Sequence, residues 1–135
     1  MFLSALSIEE KVKFLNLLNL AANIDGNFSE IERKQINVYI TEMGLSDEQI
    51  IHQPQTVEDV LGYFSTRNDI IKKIVFVEMT ALIFADGEYT KSEENLVKQA
   101  QASFSFSDDF RKHAIDWINE ITPMYLKGFK MVGLI

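Results

Sequence analysis

A chain of 135 residues fits one domain, and a domain of that size buries roughly two-thirds of its unfolded surface; with 47% hydrophobic residues and ten Phe, it can build a core without covalent staples. Thirteen Lys and Arg face 20 Asp and Glu, a net charge of −7 with no basic run. Nucleic acid is therefore a poor partner, and cations or basic protein surfaces are better ones. The absence of cysteine excludes disulfides, thiolate metal sites and a cysteine nucleophile.

The first residues, Met1 to Glu10, lack a basic leader and reach acidic side chains early, which predicts a cytoplasmic protein without a signal peptide. Ser7 and Glu10 form a capping-box pattern that opens a helix. Its apolar stripe is Ile8, Val12, Leu15, Leu18 and Ala22, and the turn dipeptide Asp25-Gly26 stops it near Ile24. Ser29 and Glu32 repeat the capping box, Ile36, Tyr39, Ile40 and Met43 form a buried face, and Gly44 closes the second helix.

Ser46-Asp47-Glu48 predicts a short helical segment through Ile51, stopped by Pro54. Thr56 caps another short helix carrying Val57, Val60, Leu61 and Phe64, and Ser65 to Asp69 is a polar connection. From Ile70 to Phe84 apolar residues lie nearly all around the helix, the pattern of a central element. A buried strand over Ile74 to Val77 is the alternative, but the length favours helix. No stretch is long and apolar enough to span a membrane.

Asp86-Gly87 ends that helix, and Thr90 with Glu93 opens the next, lined by Leu96, Val97, Ala100 and Phe104. Ser107 begins the last long helix, with Phe110, Ala114, Trp117, Ile118 and Ile121 inward, and Pro123 kinks or ends it. The apolar tail from Tyr125 to Ile135 either folds back over the core or forms an exposed dimer or partner surface. No period-2 run survives, so the expected fold is all-α, a single domain over residues 1–135.

The chain's one repeat is Asp-Gly-x-aromatic-Ser/Thr-x-x-Glu, at Asp25 to Glu32 and again 61 residues later at Asp86 to Glu93. The same offset pairs Ile36 with Val97 and Ser46-Asp47 with Ser107-Asp108. Each copy reads as a helix, a tight acidic turn, a capped helix and a second cap. Two such helix-turn-helix hairpins would bury their apolar faces against each other about a pseudo-two-fold axis.

The turn matches half of an EF-hand calcium loop, but the first ligand position would fall on Ala21 and Leu82, which cannot ligate, so a true EF-hand is rejected. The pattern Ala22-x-x-Asp25-Gly26-x-Phe28-x-x-x-Glu32, with its second copy from Ile83 to Glu93, resembles the TerB-like family, the tellurite-resistance TerB proteins and their relatives. The resemblance covers roughly Ile8 to Ile121. It implies an all-helical domain with a metal- or stress-related role, and it assigns Asp25, Glu32, Asp86 and Glu93 as acidic positions for a metal ion. Calcium, magnesium or manganese suits such oxygen ligands, and Asn23, Asn27 and Glu88 are further oxygen donors. The competing reading makes the aspartates turn residues and the glutamates helix caps, worth about 1 kcal/mol each.

Glu78 stands in the most apolar helix, and its expected place is the narrow wet side or a pair with Lys73. His52 and His113 lack zinc spacing, and no nucleophile elbow, phosphate loop or dinucleotide fingerprint occurs. The sequence therefore points to a non-enzymatic module that binds a divalent cation or a protein partner, with a homodimer as one form of the latter.

Overall fold

A computed structural model describes residues 1–26, 28–50 and 54–134. The elements are a 3-10 turn at Leu3–Ala5, then α1 (Ile8–Ala22), α2 (Glu30–Met43), α3 (Val57–Ser65), α4 (Asp69–Ile83), α5 (Lys91–Ser103) and α6 (Asp108–Met131). No strand occurs among the described residues, and none of their helices is long and apolar enough to cross a membrane.

Helix starts follow the caps. Ser7, Ser29, Thr56 and Thr90 each accept from the amide three residues on, and the Glu10, Glu32, Asp59 and Glu93 carboxylates each accept from the cap amide in return. Asn68 and Ser107 cap α4 and α6 with the forward bond. Gly44 ends α2 in the left-handed region at φ 66°, where a side chain would be strained.

α4 is the axis of the molecule, packing against α1, α2, α3, α5 and α6. Val75, Phe76, Met79, Leu82 and Ile83 of α4 are fully buried with Phe14, Leu17 and Leu18 of α1, Phe64 of α3 and Val97 of α5, in one continuous core. The strand alternative for Ile74 to Val77 is thereby excluded.

Three expectations are corrected. The segment after Ser46 forms a single turn at Asp47 to Gln49 rather than a helix among the described residues, and Ile51 lies outside them. The Gln49 side chain accepts from the Ser46 amide at 2.9 Å, which is only the return half of a capping box, and a single turn held by it does not propagate. The second cap of the two copies is therefore not equivalent, since Ser107 opens a long helix. α6 also runs through Pro123 to Met131, at an exposed position where water can replace the hydrogen bond that proline cannot make. The tail continues α6 and covers the body only in part: Tyr125 and Leu126 line a cleft with Phe2 and Tyr39, Leu126 and Phe129 are half-buried, and Met124, Met131, Val132 and Leu134 are exposed.

Candidate functional site

Among the described residues the two copies of the repeat share their glycine turn and their helix cap. In the first, the Gly26 amide donates to the Asn23 carbonyl at 3.0 Å, and Gly26 sits at φ 74°. In the second, the Gly87 amide donates to the Phe84 carbonyl at 3.1 Å, with φ 78°. Both turns need glycine for that left-handed geometry. The Ser29 amide then donates to Glu32 Oε1 at 3.1 Å, and the Thr90 amide to Glu93 Oε1 at 2.9 Å.

The aromatic positions differ. Phe28 lies under the Arg33 guanidinium, 4.6 Å from its ring centroid, whereas Tyr89 stacks on Phe84 at 4.4 Å. The stack exists because Phe84 occupies the place that Asn23 holds in the first copy, and it leaves the second turn no polar side chain there. The Asn23 amide group is engaged, donating to the Asn19 carbonyl at 2.7 Å. Asn27 lies outside the described residues, and Glu88 is exposed.

The four predicted carboxylates fall into two kinds. Glu32 and Glu93 are 3% and 4% exposed, anchored at their helix starts. Asp25 is exposed and Asp86 half-buried, its Oδ1 accepting from the Glu88 amide at 3.0 Å. Burial pushes the Glu32 carboxyl above its ordinary value; its bonds with Ser29 oppose this, and the charges of Asp86 and Glu93 add to it. Burial likewise raises Glu93 against its bonds with Thr90, and Asp25 and Asp86 add to the shift. Each buried glutamate thus feels the aspartate of the other turn. Among the described residues no three carboxylates or imidazoles converge closely enough to hold a metal ion as they stand.

Glu78 is not on a wet side and does not pair with Lys73, which instead meets Asp69 at 2.7 Å. Its Oε1 accepts from the Met1 ammonium and from the Phe2 amide, both at 2.7 Å. The cause is topological: the first residues cross between α2 and α6 over the middle of α4 and bring a cation to it. His113 is exposed, and His52 lies outside the described residues.

Sequence reasoning also missed a cluster at the other end of α1. Arg67 lies over the Tyr63 ring at 4.2 Å and faces Glu10 Oε2 at 3.7 Å, tying the α3–α4 link to the start of α1. Its residues are 57 positions apart in the chain, and no local pattern announces them.

Comparison of the chain with protein-family models, with curated proteins and with solved structures finds no match.

Proposed function

We propose that the protein is a non-enzymatic, TerB-like binding module that takes a divalent cation between its two acidic turns, in a metal- or stress-response setting. The observation that supports this reading is the cross-turn coupling of the carboxylates, in which Glu32 feels Asp86 and Glu93 feels Asp25. The two hairpins would then face each other about a pseudo-two-fold axis through the cluster.

A hard cation with oxygen ligands, calcium, magnesium or manganese, matches these groups. It would draw the two aspartates toward the two anchored glutamates and offset the repulsion among them. Capping occupies part of each glutamate, but a carboxylate has about four lone-pair positions, so capping and ligation are compatible.

Calorimetric titration of chelator-stripped protein with each of the three ions tests the proposal. Saturable binding by the wild type, lost in Asp25→Asn/Asp86→Asn, is the expected result, with stabilisation of about 2.7 kcal/mol at a hundredfold excess over Kd. Absence of binding by the wild type leaves the residues as caps and turns.

A second reading, a protein-interaction or scaffold domain with purely structural turns, is favoured by the apolar end of α6, where Met124 and Met131 are 73% and 81% exposed. Its occupant would be an unidentified protein partner or a second copy. Gel filtration with and without the residues from Gly128 onward separates this reading: an unchanged apparent mass in both forms counts against self-association.

A further inference from the structure

Along α6, Trp117, Ile121, Met124, Gly128 and Met131 recur at alternating intervals of four and three residues, the spacing of a coiled-coil seam. Met124 and Met131 are exposed, while Trp117, Ile121 and Gly128 are half-buried. Glu120 and Lys127, both exposed, immediately precede Ile121 and Gly128, so they share one flank of this seam about 10 Å apart along the helix. Among the described residues no ion pair within the chain engages either of them.

Gly128 is an independent sign of a close neighbour. It stands inside α6, where glycine weakens a helix, and a Cβ built on it would meet nothing within 4 Å. No contact among the described residues requires the glycine, whereas a helix approaching from outside finds bare backbone there.

We propose that this face of α6 pairs with α6 of a second copy in the antiparallel sense. The inference rests on the reading of the α6 end as an interaction surface and names its occupant. Charge sets the register: Glu120 meets Lys127 of the second copy, and by symmetry Lys127 meets its Glu120. In that register Ile121 packs on Met124 of the second copy and Trp117 on its Gly128, the largest side chain against the bare backbone. A parallel pair would instead set Glu120 beside Tyr125 and Lys127 beside Val132, leaving both charges without a partner. Each chain carries a net charge of −7, but at physiological ionic strength that long-range repulsion falls off over about 8 Å, whereas the seam pairs act at contact.

Contact over about three helical turns covers less than about 1,200 Å², the range of weak association, so the dissociation constant is on the order of 100 µM. In dilute solution α6 stands alone, and replacements at its exposed positions leave the stability of the monomer nearly unchanged.

Sedimentation equilibrium of the full chain from about 10 µM to about 1 mM tests the proposal, with thermal unfolding at the lowest concentration showing that each variant folds. The wild type should pass from monomer to dimer over this range. Glu120→Lys and Lys127→Glu should each weaken the dimer about tenfold, since each turns two attractions into two repulsions. The double variant, with the charges exchanged, should return to within about threefold of the wild type. A mixture of the two single variants should associate more tightly than either alone. Gly128→Leu should fold and remain monomeric throughout. A dimer that Met124→Glu removes, but that ignores the charge reversals and Gly128→Leu, would overturn the proposal and leave the α6 surface as a contact of another geometry. A wild type that stays monomeric at every concentration overturns the second copy as occupant. A dimer insensitive to all of these changes overturns the proposal and the α6 reading together.

Discussion

Glu93 does two jobs that pull its proton in opposite directions. As a cap it favours the charged form, because a carboxylate is the stronger acceptor for the Thr90 amide. As a buried neighbour of Asp25 and Asp86 it favours the neutral form, and burial is the largest influence. Its folded proton affinity exceeds the ordinary value of 4.5, so its contribution to stability is full below that pH and is lost as pH rises through the raised folded value. Glu93→Gln keeps an oxygen for the Thr90 amide and removes the charge. It should be more stable than the wild type at neutral pH, by up to about 1 kcal/mol, with the advantage vanishing toward pH 4. Urea midpoints across that range check this, and a less stable mutant at neutral pH would mean that the capping charge outweighs the repulsion. This residue's place was legible in the sequence because its cap partner is three positions away. Glu78 was misplaced because its partner is Met1, 77 positions away, and no periodicity encodes such a meeting.

Helix boundaries show the same division. Ser7, Ser29, Thr56 and Thr90 could be read directly, since a capping box is contained within one turn. At Ser46 only half of that box is present, its amide donating to the Gln49 side chain, and one turn fixed by so little does not propagate into a helix among the described residues. The helix α6 runs through Pro123 rather than ending at it. Its local penalty is real, yet the apolar stripe of α6 continues on both sides, from Ala114 and Ile118 through Tyr125 to Val132, and the helix absorbs the defect at its wet face. Replacing Pro123 with Ala should stabilise the protein by up to about 3 kcal/mol in chemical denaturation. A loss of stability would show that the bend a proline imposes is needed for α6 to follow α4.

At the scale of the molecule, the all-helical class and the central position of α4 were both readable, because an apolar helix with no polar face has to be surrounded. That the carboxylates of one acidic turn feel those of the other was not, since the two turns are 61 residues apart in the chain. The outcome for the tail was also open, because an apolar sequence states that a surface wants cover without saying which one. The exposure of Met124 and Met131 yields a direct expectation. Met124→Glu and Met131→Glu should each alter the stability of the monomer by no more than about 0.5 kcal/mol, as for other surface changes. Thermal unfolding at several protein concentrations checks this, and a larger, concentration-dependent loss would reveal that a second copy covers these side chains in solution.

The central place of α4 also has a consequence in time. α1 finishes at Ala22, whereas the helix that covers Phe14, Leu17 and Leu18 is not complete until Ile83. At a synthesis rate of about 5 to 20 residues per second, the interval between them is roughly 3 to 12 s. During that interval the apolar faces of α1, α2 and α3 have only one another for shelter. A nascent chain is then most open to chaperones and to association with other unfinished chains, and the core can close only when α4 arrives.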